Sequence, residues 1–507
     1  MIMKYVKYKI ISLIIQLAYI GKNLLARSQT AFKILFLPGY ERTRWLVGKW
    51  KAWLVFEKAK EIVPAYKEFM MIYKECGVEL KGWDPDFSSI PPIDKESYIK
   101  KYSIESRCIN GMIPAAGVMI DESSGTSGTP NNWVRGYDER KSVKYMLQLS
   151  LRNLLGTEPV FLINAFALGP WATGMNVSMS LVDVTILKST GPDILKIENT
   201  LNMFGPRYLY VIAGYPPFLK LLADSKNIEW EKYNVIAVFG GEGMSEGMRT
   251  YLSKSFKRIY GSYGASDLEI NIGAENDFTI ALRQLMLKNN ALCKKLTYGN
   301  HVVLPMIFQY NPLDYYIETN DEGELLVTLC RISNISPKVR YNIHDLGHVW
   351  RLPELKRVLK EFEISLDDIS SQYSDLPLLF HYGRSDMSVA FYGCKITPQN
   401  IEEVIFSLPE LAQVTSSFSI LVSEDKSANK KFKIAIELQE GINSDILDKD
   451  ITQIKVLQKL TEVNQDYRES VQMIPDGLEP KLEIYDFAQG PFAVNDIRLK
   501  RHYIQKQ

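Results

Sequence analysis

From about residue 159 onward, short runs of β-branched and aromatic residues alternate with amphipathic stretches. Residues 160–163, 208–212 and 235–239 form the apolar runs, and their length and composition predict strands. Residues 217–226 and 245–257 carry apolar positions at helical spacing and predict helices. This alternation is typical of an α/β domain with a partly parallel sheet.

The pattern changes after Arg384, where a Gly-Arg-Ser-Asp turn is followed by one helical segment and two alternating strands. We therefore expect a large α/β domain over residues 1–384, with residues 1–60 helical, and a small α+β domain over residues 385–507. The predicted elements of the small domain are a helix over residues 398–408 and strands over residues 419–422 and 432–437.

The N-terminal segment, residues 1–27, places Lys4, Lys7 and Lys9 before an apolar run over residues 10–20. It resembles the start of a signal peptide but lacks a small-x-small cleavage site. The run is also shorter than the ~17 to 25 residues that span a bilayer. The first interpretation is a buried or partner-facing helix. The alternative is a helix that lies on an anionic membrane surface.

Composition narrows the class of protein. The chain has 507 residues, with 60 Lys and Arg against 59 Asp and Glu, which argues against a protein that holds nucleic acid by bulk charge. Its five cysteines form no C-x-x-C pair, so neither a disulfide framework nor a structural zinc site is expected. A reducing, cytoplasmic location fits best, and the oligomeric state stays open.

Two short motifs have ordinary structural explanations. Gly243 to Gly247 matches the G-x-S-x-G pattern of a serine nucleophile, but glycines separate the preceding strand from Ser245, which suits a helix N-cap. His344 and His348 have the spacing of a zinc-binding helix. Gly347 between them disfavours a helix, and the flanking residues are typical of a strand.

A loop rich in hydroxyls and glycines is the strongest chemical signal. Backbone N–H groups and hydroxyls at this density can surround an anion, although the spacing is not that of a Walker A loop and a plain linker is the alternative. Its residues are Ser123, Ser124, Gly125, Thr126, Ser127, Gly128, Thr129 and Pro130.

Further groups follow this loop in chain order and supply the other parts of a nucleotide site. A glycine run, residues 240–243, lets backbone approach a base, and Tyr263 offers a ring to stack on it. Asp345 can accept charge-assisted hydrogen bonds from two ribose hydroxyls, and Arg384 can reach ribose or phosphate. Asp267 is a hard oxygen ligand for Mg²⁺.

With these motifs in order, nearly the whole chain resembles the adenylate-forming superfamily, most closely its phenylacetate–CoA ligase-like branch. Four other segments look like that branch, namely residues 62–67, 90–95, 164–166 and 214–217. The resemblance implies an ATP-, Mg²⁺- and CoA-dependent ligase. It would activate a small aryl or acyl carboxylic acid as acyl-AMP and pass the acyl group to the CoA thiol.

The resemblance also implies roles for individual residues. The 123–130 loop would hold the β- and γ-phosphates, Asp345 the ribose, and Ser266 with Asp267 the α-phosphate and the metal. Lys500 would be the catalytic lysine of adenylation. The adenine would be framed by Gly241, Glu242 and Tyr263, and Gly243 and Gly264 would also belong to the nucleotide-binding residues.

The implied fold is a body with a mobile C-terminal lid that rotates between two half-reactions. Arg384 and Asp386 would lie at the hinge, and Gly393 would line the approach of the thiol.

The sequence departs from the family's pattern at several positions. Thr129 stands where lysine is usual, Asp267 replaces glutamate, His344 replaces glycine, and the motif around Lys500 is matched only loosely. These departures leave two alternatives open. One is transfer of the acyl group to an amine or to a carrier-protein thiol. The other is a catalytically degenerate homologue that binds nucleotide without turnover.

Overall fold

The computed structural model describes most of the chain, and every structural statement below concerns the described residues. They are residues 2–25, 37–73, 76–122, 131–156, 158–169, 172–299, 303–370, 373–385, 389–391, 394–424, 430–464, 467–468, 471, 479–493 and 503–506.

The elements are numbered here in chain order. The α-helices are α1 Ile2–Leu25, α2 Glu41–Ile62, α3 Pro64–Ile72, α4 Tyr137–Leu155, α5 Ala172–Leu181, α6 Ile194–Phe204, α7 Pro216–Ala223, α8 Glu246–Leu252, α9 Asp277–Lys288, α10 Asn290–Leu296, α11 Leu352–Glu361, α12 Leu366–Ile369, α13 Pro398–Ser407, α14 Pro409–Ala412 and α15 Lys449–Val463. The strands are β1 Glu79–Lys81, β2 Asp84–Asp86, β3 Met119–Glu122, β4 Asn132–Arg135, β5 Val160–Asn164, β6 Ile186–Ser189, β7 Leu209–Gly214, β8 Asn234–Gly240, β9 Arg258–Tyr263, β10 Gly273–Ala274, β11 Met306–Tyr310, β12 Tyr315–Thr319, β13 Glu324–Leu329, β14 Tyr341–Trp350, β15 Leu378–Arg384, β16 Val389–Phe391, β17 Cys394–Ile396, β18 Thr415–Glu424, β19 Lys430–Leu438, β20 Lys481–Tyr485 and β21 Ile504–Lys506.

The centre of the body is an 11-stranded sheet in the order β12-β13-β14-β15-β11-β10-β9-β8-β7-β5-β6. The strands from β6 to β9 in that order are parallel, and the remaining pairs are antiparallel. Helices connect the parallel strands, as crossover geometry requires. The predicted α/β class with a partly parallel sheet is therefore confirmed.

The three strands predicted from their apolar runs are present as β5, β7 and β8, and the proline-led helix is present as α7. The helix predicted over residues 245–257 is too long, because α8 ends at Leu252. The chain must turn there to bring β9 alongside β8, and the Lys257 N–H donates to the Val235 carbonyl at 2.9 Å. The pairing of β9 with β8 therefore ends the helix at Leu252, although the apolar residues continue at helical spacing beyond it.

A second sheet, in the order β20-β19-β18-β21, lies in the C-terminal part of the chain. It has its own apolar cluster, built from β18, β19, α13 and α15 and separate from the clusters around the large sheet. These observations support the two-domain organisation that the sequence predicts. The boundary between residues 384 and 385 stays a prediction.

Helix α1 packs on the outside of the body. Its residues Ile11 and Ile15 are buried, and the Tyr8 ring meets the Trp53 ring edge to face at 5.1 Å. One face of the segment is therefore buried, as the first interpretation expects. Among the helices in the described ranges, none combines the length and apolar character needed to cross a membrane.

Candidate active site

Two segments at the end of β9 and the start of β14 bond to each other reciprocally. The Tyr263 hydroxyl donates to Asp345 Oδ2 at 2.7 Å, and the Tyr341 hydroxyl donates to Asp267 Oδ2 at 2.8 Å. In each segment the tyrosine precedes the aspartate by four residues, so each tyrosine bonds the aspartate of the other segment. The structure thereby places the predicted ribose and metal ligands at one edge of the sheet.

Asp345 is buried, with 6% of its surface exposed, and it needs positive or donating partners to stay ionised. His381 Nε2 lies 3.2 Å from Asp345 Oδ2, and strand pairing sets Arg384 opposite Asp345. Burial opposes ionisation. His381, the Tyr263 hydroxyl and the Arg384 charge outweigh it and hold the pKa of Asp345 below its ordinary value. The site therefore presents a buried carboxylate anion.

The Tyr263 ring is buried against two neighbouring rings. Phe308 lies at 5.7 Å between ring centroids with an interplanar angle of 30°, and the His381 ring lies at 4.8 Å. Burial and the charge of Asp345 raise the pKa of Tyr263 well above its usual value, so its hydroxyl stays a donor. The ring is held rigidly at the position that the sequence assigns to the adenine.

Asp267 is half-buried and has a second oxygen, Oδ1, 3.5 Å from the Ser266 hydroxyl. The Ser266 carbonyl accepts a hydrogen bond from Arg135, which fixes this turn against β4. Within the described residues, no group of three or more His, Cys, Asp or Glu side chains could hold a metal ion. Asp267 is a single carboxylate donor at this place, and its role as a Mg²⁺ ligand stays a prediction.

Lys338 is a residue of the site that the sequence did not reveal. It is 1% exposed, and its ammonium lies 4.6 Å from the Trp133 ring centroid and 5.7 Å from that of Tyr341. Burial lowers the pKa of Lys338 to about 7, and the charges of Arg107 and Arg135 add to this effect. A titratable amine thus lies beside the Tyr341–Asp267 pair.

The glycine run after β8 uses a backbone conformation that favours glycine, since Gly241 has a φ of +83°. Gly264, which follows β9, has a different constraint, because a Cβ there would lie 2.7 Å from the Glu269 carbonyl oxygen. Glu242 accepts a hydrogen bond from the Tyr503 hydroxyl at 2.9 Å. This contact brings the chain just before β21 to the predicted adenine side of the site.

Further contacts join the C-terminal part of the chain to the body beside Gly243. Glu402 Oε2 accepts from the Ser245 N–H at 2.7 Å, and Glu403 Oε2 accepts from the Gly247 N–H at 3.0 Å. Both carboxylates come from α13 and meet the first backbone donors of α8. Burial raises the pKa of Glu402 to about 7, and the nearby charge of Glu242 also raises it.

Several predicted site residues lie outside the described part of the chain, and their roles stay predictions. They are Ser123, Ser124, Gly125, Thr126, Ser127, Gly128, Asp386, Gly393 and Lys500.

The G-x-S-x-G match around Ser245 and the pair His344 and His348 have the structural explanations that the sequence favours. The Ser245 hydroxyl accepts from the Met248 N–H at 3.1 Å and caps α8. His344 and His348 lie on strand β14, not on a helix. His344 has a φ of +63°, a left-handed conformation that favours glycine, and its Nδ1 lies 3.1 Å from Glu324 Oε1.

Comparison with known proteins gives structural likeness alone. No protein-family model and no curated protein sequence matches the chain. A crystal structure of 2-hydroxyisobutyryl-CoA ligase in the postadenylation state, in complex with R3-HIB-AMP, is 12% identical, with a TM-score of 0.65 over 93% of this chain and 91% of that one. The same ligase with 2-HIB-AMP and CoA in the thioesterification state is 15% identical, with a TM-score of 0.51 over the same shares of the two chains. The chain therefore has the fold of these ligase structures.

Proposed function

We propose that this protein is an ATP-dependent acid–thiol ligase, which activates a carboxylic acid as acyl-AMP and transfers the acyl group to CoA. The observation that carries the proposal is the buried Asp345 carboxylate, which contacts Tyr263 and His381 and lies opposite Arg384 on the neighbouring strand. The shared fold supports it, because the structures with that fold hold an acyl-AMP and, in one case, CoA.

In the first half-reaction an acid carboxylate attacks the α-phosphorus of ATP, and pyrophosphate leaves. Asp345 would accept hydrogen bonds from the ribose hydroxyls, and Arg384 would face the same group from the neighbouring strand. The glycine run and the rigid Tyr263 ring would take the adenine. These contacts position the nucleotide, which is the main contribution a protein makes to such a transfer.

The reaction joins two anions, so positive charge near the phosphates is needed. Asp267, with Ser266 beside it, would hold Mg²⁺ together with the phosphates, and the ion would neutralise charge that develops there. Arg135 donates to the Ser266 carbonyl and is itself paired with Asp121 and Glu139, so it would hold this turn in place without adding net charge. Lys500 is proposed as the residue that contacts the reacting phosphate.

In the second half-reaction the CoA thiol must reach the acyl-AMP after pyrophosphate has left. The proposed rotation of residues 385–507 against residues 1–384 would open a path for that thiol. Arg384 and Asp386 would form the hinge, and Gly393 would line the thiol's path. The higher TM-score against the postadenylation state supports the view that α13 docked on α8 represents the first of the two arrangements.

Three finer points belong to the same proposal. The branch is that of the phenylacetate–CoA ligases, since the sequence motifs resemble that branch most closely. The acid is a small aryl or acyl carboxylic acid. The location is cytoplasmic, which suits a sequence whose five cysteines are widely scattered and form no C-x-x-C pair.

The decisive experiment is ATP–pyrophosphate exchange with purified protein against a panel of aryl and acyl acids. We expect exchange with at least one acid, and its loss in Asp345→Ala, which removes the ribose acceptor. Asp321→Ala, an exposed carboxylate on a turn, serves as the matched control. Exchange that survives Asp345→Ala unchanged would contradict the assignment of the ribose site.

Product analysis separates this proposal from its alternatives. Mass spectrometry with CoA, with an amine or with a carrier protein identifies the acceptor. Nucleotide binding by calorimetry, without pyrophosphate release for any acid in the panel, would identify a degenerate homologue instead.

A further inference from the structure

Helix α1 presents an apolar face away from the protein. Eight of its apolar side chains are between 42% and 82% exposed, whereas Ile11 and Ile15 on the opposite face are buried. At about 100° per residue, the eight positions fall within an arc of about 120°. They run along about 27 Å of helix at 1.5 Å per residue. They are Ile2, Met3, Val6, Ile10, Leu13, Ile14, Leu17 and Ile20.

This stripe, which we call the α1 stripe, is unusual for a helix on a folded body. Exposed apolar residues scattered singly are normal, but a contiguous stripe marks a surface that meets a membrane or another protein. The helix is already anchored through its other face, where Tyr8 meets Trp53 and the Lys4 ammonium contacts the Val78 carbonyl. The stripe is therefore not needed to attach α1 to the body.

Charge along the helix indicates the kind of partner. α1 contains four lysines and no acidic residue, in a chain whose formal net charge is only +1. Two of these lysines border the stripe, since Lys9 and Lys7 each lie about 20° beyond one of its edges. An apolar face between lysines is typical of a helix that lies in the interface of an anionic bilayer.

Aromatic side chains accompany both bordering lysines. The Lys9 ammonium lies 5.4 Å from the Tyr5 ring centroid, and the Lys7 ammonium lies 5.2 Å from that of Trp83. Tyr5 is 61% exposed and Trp83 is 43% exposed. Tyrosine and tryptophan with lysine at the level of the lipid headgroups are the usual anchors of interfacial segments.

We infer that the α1 stripe docks the protein on the surface of an anionic membrane, with α1 parallel to the bilayer plane and its apolar face in the headgroup region. The occupant is lipid and not a second copy of the chain, because a paired copy would bring lysines of like charge together along both edges. The inference does not depend on the proposed ligase activity.

The test is flotation of the full-length protein with vesicles of neutral phosphatidylcholine or of phosphatidylcholine with about 30% phosphatidylglycerol, whose anionic headgroups give the surface a negative potential. We expect binding to the anionic vesicles that weakens in 1 M salt, where the screening length falls to about 3 Å. Lys9→Gln should weaken binding about fivefold, since a lysine at an anionic surface contributes about 1 kcal/mol.

The paired variant Leu13→Glu with Leu17→Glu should reduce vesicle binding more than tenfold. The matched control, Leu195→Glu with Met203→Glu, adds the same charge to exposed apolar residues of α6 and should leave binding unchanged. Thermal unfolding of each variant verifies that it folds. Equal binding by the two paired variants, or no binding to anionic vesicles, would overturn the inference. So would a dimer in ultracentrifugation that only the α1 variant loses, with no vesicle binding.

Discussion

The docking of α13 on α8 should depend on pH through one carboxyl group, that of Glu402. Glu402 is 8% exposed and accepts a hydrogen bond from the Ser245 N–H at 2.7 Å. Burial raises its pKa from 4.5 to about 7, helped by the charges of Glu242 and Glu403 and opposed by the Ser245 hydrogen bonds. If the domains separate, water solvates the group and its pKa returns toward the ordinary value.

The sign and size of the effect follow from proton linkage. The docked state binds this proton more tightly, so docking is strongest below about pH 4.5 and weakens as the pH rises through 7. At 1.36 kcal/mol per pH unit, the difference approaches about 3 kcal/mol above pH 7. Between pH 5 and 8 the ratio of docked to undocked protein should fall by about 70-fold.

Single-molecule energy transfer between dyes at the exposed positions 229 and 462 would measure this ratio. Glu402→Gln keeps a carbonyl oxygen for the Ser245 N–H but cannot ionise, so its docking should be nearly independent of pH. Glu440→Gln, an exposed glutamate of the same part of the chain, is the control and should behave as the wild type. A pH dependence that persists in Glu402→Gln would refute the reasoning.

Three further predictions test other parts of the site. Burial lowers the pKa of Lys338 to about 7, so the stability of the wild type should increase between about pH 7 and 10.5. Lys338→Met should remove this increase and raise the free energy of unfolding at pH 7. Urea titrations across that pH range measure both effects. His344→Gly should change stability by less than about 1 kcal/mol, since the φ of +63° suits glycine, whereas His344→Val should destabilise by more than about 1 kcal/mol in urea unfolding. Tyr503→Phe removes a 2.9 Å hydrogen bond to the Glu242 carboxylate. A charge-assisted bond of this kind contributes about 1.5 kcal/mol, so its loss should slow ATP–pyrophosphate exchange about tenfold. An unchanged rate would mean that this contact does not matter in adenylation.

The parallel part of the sheet could be predicted from the sequence because its strands are buried on both faces. β5, β7 and β8 are continuous apolar runs, and such runs need no long-range information to recognise. The order of motifs along the chain also singled out Tyr263, Asp267 and Asp345, which the structure brings to one edge of the sheet, and their roles stay predictions. Lys500 and the 123–130 loop lie outside the described residues, so their roles stay predictions.

His381 and Lys338 could not be predicted, and the reason is physical. His381 reaches Asp345 only through the register of β14 with β15, which brings together residues 36 positions apart in sequence. Lys338 gains its lowered pKa from burial under Trp133, and burial of a single lysine leaves no local pattern. The predicted C-terminal end of α8 was wrong for a similar reason, because the pairing of β9 with β8 decides where the helix ends.

The reciprocal bonds between the two tyrosine–aspartate segments have a consequence for how ligand arrives. The Tyr263 hydroxyl donates to Asp345 Oδ2, and the Tyr341 hydroxyl donates to Asp267 Oδ2. Under the proposed function, a ribose hydroxyl that bonds Asp345 would displace the Tyr263 hydroxyl or share the carboxylate with it. Binding would then exchange one hydroxyl for another, and the ultraviolet absorption of tyrosine should report that exchange.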